Sequence, residues 1–329
     1  MDPNEQKLIA YYNKFPEDKR LDSRHGQVEY RLTRHFIDRA MTDAGAGEGP
    51  LRILDVGAGT GRYAGPLSAE GHEVIAVDLV RYHLGIMRKK WPGLDVRQGD
   101  ARDLSGAGLG KASRGSFDLI LLLGPMYHLT RDGDKARALA EAARLLAPRG
   151  RLLVAYLMNE YSVLTYGFKQ RHILEMLPDK AGQEAPERTE EGRQEEARDQ
   201  VGSFGRDHRS SGSLDASFAV CPSPTDLYDY VRPEDIAGFD REANRISREN
   251  WLKEEEGLRK RQGPPQLVRD RIFSPDGPAG YMRRELKALS EEEFDCFVAY
   301  QLSVCQRQDL LGAGGHLVEV LRLSEKSVE

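Results

Sequence analysis

The sequence predicts an α/β protein built on a doubly wound, mostly parallel sheet. Three observations carry that expectation. Short apolar strands alternate with amphipathic helical stretches between residues 51 and 157. A glycine-rich turn joins the first strand to the first helix. An acid, Asp78, closes the second strand. Strands alternating with helices put helices on both faces of a parallel sheet, so its strands read as nearly continuous apolar runs.

Before the first strand, Val28, Leu32, Phe36 and Ala40 recur on one helical face, and AGAGEGP (44–50) breaks the pattern. LRILDV (51–56) is the first strand and residues 61–70 the first helix of the alternation. EVIAVD (73–78) is the second strand, and 81–90 is helical up to Pro92–Gly93. LDVRQGD (94–100) is a weaker third strand. Phe117 to Leu123 is a strongly apolar fourth strand that stops at Gly124–Pro125. Leu139, Ala143 and Leu146 share a helix face closed by Pro148 and Gly150, and RLLVAYL (151–157) is the fifth strand. Beyond 158 the pattern loosens. A helix is expected from about Tyr161 to Leu177. A charged helix follows within 240–265, then a strand at 267–273, a helix through Phe294–Cys305, and an alternating strand at 316–323.

Residues 179–213 are dense in Glu, Arg, Gln, Gly and Ser. Such a composition buries too little apolar surface to offset its ordering entropy, which predicts a mobile insertion. With no clean linker, one domain is expected over 1–329. It divides into a helical N-terminal segment (1–50), a core (51–157), a cap with its insertion (158–265) and a C-terminal completion of the sheet (266–329). The chain's 329 residues carry 48 basic and 53 acidic side chains, a net charge of −5, which argues against a nucleic-acid partner. No apolar run reaches the length of a membrane span, and the N-terminal residues lack the apolar stretch of a secretion leader. The three cysteines, Cys221, Cys296 and Cys305, show neither a CxxC pair nor an even framework. Together these predict a cytoplasmic protein without a structural metal.

The chemistry concentrates in ILDVGAGTGRYAGPLSAEGHEVIAVD (53–78). Gly57, Gly59 and Gly61 follow a strand that ends near Asp55, and a helix opens behind them. Glycine there lets a ligand approach the backbone, and the helix N-terminus favours an anionic group. Asp78 is placed to accept hydrogen bonds from a ribose. This is a nucleotide-binding arrangement at a sheet switch point. The dinucleotide spacing G-x-G-x-x-G/A fails from Gly57, where Arg62 fills the last position. It passes from Gly59, where Ala64 does, so an NAD(P)-dependent oxidoreductase stays an alternative. Asp55 weighs the other way: a carboxylate before the glycines suits a cationic amino group better than a pyrophosphate. Asp100–Ala101, after the third strand, can meet an adenine edge.

At these residues the chain resembles the class I S-adenosylmethionine-dependent methyltransferases. ILDVGAGTG is similar to their first motif, GDARDL (99–104) to their adenine-contact segment, and FDLILLLGPMYHL (117–129) to their fourth strand and following loop. LLAPRGRLLVAYL (145–157) resembles their helix, turn and fifth strand. The GPMYHL loop and EDKRLDSRHGQVEY (17–30) resemble a bacterial subgroup that acts on small molecules. The resemblance implies a seven-stranded sheet with an antiparallel last strand, and S-adenosyl-L-methionine as cofactor. It implies that Gly57, Ala58 and Gly59 contact the methionine portion while Asp78 holds ribose. Leu79 would pack on adenine, Asp100 and Ala101 would read its edge, and Leu123 and Gly124 would line the floor near the sulfonium. His128 is then the candidate general base, because it follows the fourth strand and its imidazole titrates in the useful range. Tyr127 is the candidate for orienting the acceptor. Tyr11, Tyr12, Arg24 and His25 would belong to a helical lid. His172, His208 and His316 are too scattered to suggest a metal site. The D/N-P-P-Y pattern of base-methylating enzymes is absent from 124–127, so a small-molecule substrate is expected, and a homodimer is compatible. A nucleotide-binding module without catalysis, acting through its charged insertion, is the remaining alternative.

Overall fold

The computed structural model describes residues 3–13, 21–47, 49–177, 213–222, 226–254 and 266–324. The predicted mobile insertion lies almost entirely outside them. The chain divides into two compact units that interleave in sequence. One comprises residues 1–34, 156–233 and 273–317; the other comprises 35–155, 234–272 and 318–329.

The second unit is organised by a seven-stranded sheet. Its strands are β1 (Arg52–Val56), β2 (Glu73–Asp78), β3 (Asp95–Gln98), β4 (Phe117–Leu122), β5 (Leu146–Leu157), β8 (Leu267–Phe273) and β9 (His316–Leu323). The order is β3-β2-β1-β4-β5-β9-β8. β1 pairs in parallel with β2 and β4, β2 with β3, and β4 with β5. β9 runs antiparallel between β5 and β8, which bears out the expected last strand. Order reverses between β1 and β4, the switch point at whose carboxyl end doubly wound sheets bind ligands. The central strands need little explanation beyond their apolar runs. Ile53, Leu54, Leu119, Ile120, Leu121, Leu152 and Leu153 are fully buried. Burying each such side chain stabilises the fold by about 2 kcal/mol.

Helices α3 (Ala64–Ala69), α4 (Arg81–Lys90) and α5 (Asp132–Leu145) connect the strands. α5 carries Asp132 and Asp134 in its first turn and Arg144 in its last, each complementing the helix dipole. It ends at Leu145, one residue before the Leu146 that periodicity places on its face. Leu146 instead opens β5 and pairs with Phe117, and the register shifts before Leu119 pairs with Arg151. Pro148 cannot extend a helix. Gly150 passes so close to Phe117 that an added Cβ would lie 2.9 Å from its carbonyl oxygen.

The first unit holds α1 (Pro3–Tyr12), most of α2 (Arg24–Ala44), α6 (Asn159–Ser162), α7 (Ile173–Met176), a short hairpin and the C-terminal helices. The helix expected over 161–177 is interrupted. α6 passes into a π-helical stretch at Val163–Lys169, and Arg171 then takes a φ of 62°. The hairpin strands β6 (Ser213–Leu214) and β7 (Val220–Cys221) carry no sequence signal of their own. Asn159 specifies them, donating to the Phe218 carbonyl and accepting from the Val220 amide. Leu214 and Val220 bury against Val163 and Met176.

Helix α8 (Pro233–Glu254) replaces the charged helix expected at 240–265; its last residues in that range lie outside the described ones. α9 (Arg283–Ala288) and α10 (Glu291–Val304) follow. A capping box of Ser290 and Glu293 starts α10. Arg24 and Arg31 of α2 pair with Glu291 and Asp295 of α10.

Within the second unit, Glu319 of β9 is wholly buried and its carboxylate accepts from Arg269 Nε of β8 at 3.0 Å. Arg269 also lies 3.6 Å from Asp240 of α8. Replacing Arg269 with Met would leave Glu319 buried without that guanidinium. The variant should lose about 3 kcal/mol in urea unfolding, the usual cost of breaking a buried ion pair by removing one partner. Unchanged stability would show that the pair contributes nothing.

Candidate functional site

The site grows from the end of β1. Gly57 leaves the strand with a φ of +74°, and an added Cβ would fall 2.6 Å from Pro125 Cδ. Both its backbone angle and its neighbour therefore require glycine. Gly124, at the carboxyl end of β4, approaches equally closely, and a Cβ there would stand 3.0 Å from the Gly57 carbonyl oxygen. The loops after β1 and β4 thus lie back to back. The amides of Gly57 and Ala58 donate to the Val77 carbonyl at 2.8 and 3.1 Å.

Asp78 fixes the next turn. One carboxylate oxygen accepts the Gly59 amide at 2.8 Å, and the other accepts the Val80 amide at 2.8 Å. The second oxygen also lies 3.3 Å from Nδ1 of His83, which is buried in the first turn of α4. The acid expected to hold ribose therefore already shapes the glycine loop. A carboxylate accepts about four hydrogen bonds, so two amides leave it capacity for a ligand.

Asp55 lies 2% exposed at the base of the loop. Burial, with the nearby charge of Asp78, pushes its carboxyl up to about 7, although the Ala64 amide donates to it. Its Oδ2 is buried with no hydrogen-bond partner. Buried polar atoms are almost always satisfied, so an orphaned carboxylate oxygen asks for a donor from a ligand. A primary ammonium supplies both the donor and the charge. The amino group of S-adenosylmethionine fits that demand, and a pyrophosphate does not.

Asp100 follows β3. The Arg102 amide donates to its Oδ1 at 2.8 Å, and the guanidinium reaches both oxygens at 2.5–3.0 Å. Burial opposes ionisation, but the hydrogen bonds and charge of Arg102 outweigh it and hold the carboxyl below its ordinary range. Arg102 continues to Asp134, and Asp134 to Arg137. Ala101 is buried, while Leu79, Leu123 and Gly124 are half-buried.

Tyr127 and His128 belong to a short 3-10 turn, Pro125–His128. The Tyr127 hydroxyl donates to the Leu123 carbonyl at 3.1 Å, and its ring meets that of His128 edge-on at 4.8 Å. Tyr127 is buried and His128 half-buried. Sequence reasoning missed His83, Arg102 and the buried Lys135. His83 leaves a weak signal, because it stands in the first turn after the strand-ending acid. Lys135 leaves none.

The remaining histidines separate. His172 stacks on Tyr166 with centroids 4.3 Å apart, and His208 lies outside the described residues. His316, in the first unit, is buried with Nδ1 2.9 Å from Asp276 Oδ2 and 3.8 Å from Glu29. Those three side chains bring donor atoms within 4.8 Å of one another. The shortest separation is a hydrogen bond inside the set. Tyr11, predicted for a lid, packs edge-on against Tyr12 and Tyr228 of the same unit.

Residues 53–150 match the family described as a methyltransferase domain. Demethylmenaquinone methyltransferase of Renibacterium salmoninarum is 33% identical over 129 residues, covering 39% of this chain and 49% of that protein. Protein-L-isoaspartate O-methyltransferase of Stenotrophomonas maltophilia is 31% identical over 134 residues, covering 41% and 56%. Ubiquinone biosynthesis O-methyltransferase of Dechloromonas aromatica is 29% identical over 145 residues, covering 44% and 58%. The chain thus spans about half the length of the curated relatives it matches. Sheet order, glycine loop and the methyltransferase-domain match over residues 53–150 agree with the resemblance to class I S-adenosylmethionine-dependent methyltransferases.

Asp55 sets a testable trade. A carboxyl raised in the fold stabilises through its proton, fully below its unfolded value near 3.8, and loses that contribution as pH rises through about 7. Asp55→Asn carries no such charge. Without ligand, the variant should melt higher than the parent at pH 8, and the gap should close toward pH 5. Calorimetry should show S-adenosylhomocysteine binding the variant more weakly at pH 8. In the parent, affinity should rise as pH passes through about 7. A pH-independent affinity would remove Asp55 from the ligand's amino group.

Proposed function

We propose that this chain transfers a methyl group from S-adenosylmethionine to an oxygen or nitrogen atom of a small molecule. The observation that carries the reading is the orphaned carboxylate oxygen of Asp55 beneath a glycine loop whose shape Asp78 fixes. The relatives' names support a methyltransferase and differ in acceptor, so they favour no one substrate.

When bound, the cofactor supplies a methyl group on a sulfonium, and the departing thioether is a good leaving group. The protein's share is therefore alignment and desolvation, since proximity alone accelerates a displacement strongly. Asp55 would hold the amino group, and the Gly57–Gly59 backbone would lie along the methionine portion. Asp78 would take the ribose hydroxyls with the lone pairs its two amides leave. Asp100, kept ionised by Arg102, would accept from the adenine amino group, with Leu79 against the ring. Leu123 and Gly124 would floor the reacting centre. His128 would take the proton that the acceptor sheds as its new bond to carbon forms. Tyr127, with its hydroxyl committed to Leu123, would serve through its ring and its hold on the loop. Among the described residues no helix is long and apolar enough to cross a membrane, which suits a substrate met in solution.

Calorimetry with S-adenosylmethionine, S-adenosylhomocysteine and NADP separates this reading from its rivals. The first two should bind and NADP should not. Asp78→Ala should weaken binding at least about tenfold, equivalent to 1.4 kcal/mol. Release of S-adenosylhomocysteine across a panel of phenols, amines and carboxylic acids would then identify the acceptor, and His128→Ala should lower that turnover. NADP binding in place of the other two would turn the assignment to an oxidoreductase. Tight cofactor binding without turnover on any acceptor would point to a non-catalytic module.

A further inference from the structure

Lys135 lies one turn into α5 and is 1% exposed. Lysine is almost never buried so deeply unless its ammonium is engaged. Here Nζ donates to the Leu129 carbonyl at 2.5 Å and stands 5.4 Å from the ring centroid of Phe239 on α8. A more distant carboxylate, Asp132, is 3.9 Å away and largely solvated. Leu129 ends the segment that begins at Gly124 and carries Tyr127 and His128. At the other end of that segment the Tyr127 hydroxyl donates to Leu123. The loop is thus held at both ends by side-chain donors on backbone carbonyls. One donor is a buried charged group, whose bond to a carbonyl is stronger than a neutral one. Between the two ties, Gly124 and Pro125 are wedged against Gly57. The segment is therefore tied at both ends, and the tie at Leu129 comes from α5.

We propose that Lys135 is a positioning residue for the acceptor side of the site. Its ammonium, seated on Phe239, fixes the loop Pro125–Leu129 and through it the orientation of His128, while the cofactor-binding residues, Gly124 included, stand without it. This inference rests on the proposed methyl transfer for its functional meaning, but its structural content is measurable apart from activity. Lys135→Met keeps much of the apolar volume and removes the donor and charge. Lys135→Arg keeps both. Phe239→Leu removes the aromatic seat and leaves the lysine in place.

The test is amide hydrogen exchange on the full chain, with calorimetry on S-adenosylhomocysteine beside it. In Lys135→Met, exchange across 124–131 should be roughly tenfold faster, the scale expected for losing a charged hydrogen bond. Peptides from β1 and β2 should be unchanged, and S-adenosylhomocysteine affinity should stay within about threefold of the parent, under 1 kcal/mol. Lys135→Arg should restore part of the protection, and Phe239→Leu should lose part of it. With an acceptor in hand, Lys135→Met should lower kcat and raise the acceptor KM while leaving the cofactor KM alone. Three results would overturn the proposal: unchanged exchange in the loop, protection lost evenly across α5 and β4, or cofactor affinity lost with loop protection. If Lys135→Met does not fold, Phe239→Leu with normal loop exchange would overturn it equally. Failure of the parent protein to bind S-adenosylhomocysteine would sink the methyltransferase reading, and loop exchange would still report on Lys135.

Discussion

The carboxylate of Asp78 is the constraint on which the site's geometry depends. It closes β2 and accepts two backbone amides, Gly59 from the turn after β1 and Val80 from its own strand end. Those bonds hold the glycine loop in a shape that backbone preference alone does not select, because glycine gains freedom in the unfolded chain as easily as in a turn. His83 lies against the same oxygen and Asp55 feels the same charge. One acid thereby couples loop shape to the protonation of a neighbouring carboxyl.

Two buried carboxylates close enough to influence each other are costly without a compensating positive charge. Stability and function pull apart at that point. Asp55 raised toward neutrality is a group the fold tolerates rather than welcomes, and a cationic ligand would relieve it. Sites that bind charged ligands commonly carry such a burden, with the surrounding packing supplying the margin. Here the margin is the apolar centre of the sheet, where β1 and β4 are buried nearly throughout.

The glycine turn and the strands around it were legible in the sequence because their signals are local. Strand, glycine turn, helix and strand-ending acid follow one another within 53–78, and each predicts its neighbour's conformation. Asp100 was legible as a position, but its state was not. Arg102 stands only two residues away, and nothing in GDARDL says that its guanidinium will fold back onto both carboxylate oxygens. The boundary of α5 was missed for a similar reason. Leu146 fits the helical period, and pairing with Phe117 across the sheet takes it into β5 instead. The hairpin at 213–221 was invisible, since its register comes from Asn159, more than fifty residues earlier.

The sequence by itself determined the class of fold, the glycine turn after β1 and the acids that stand beside it. Apolar periodicity and glycine placement act over a few residues and survive without tertiary context. Only the tertiary structure decided which polar groups are satisfied. The orphaned oxygen of Asp55, the clasp of Arg102 on Asp100 and the buried ammonium of Lys135 under the GPMYHL loop depend on burial and on partners brought together by folding. Burial sets the cost of each charge and distance sets its partner. Neither is written in the order of residues along the chain.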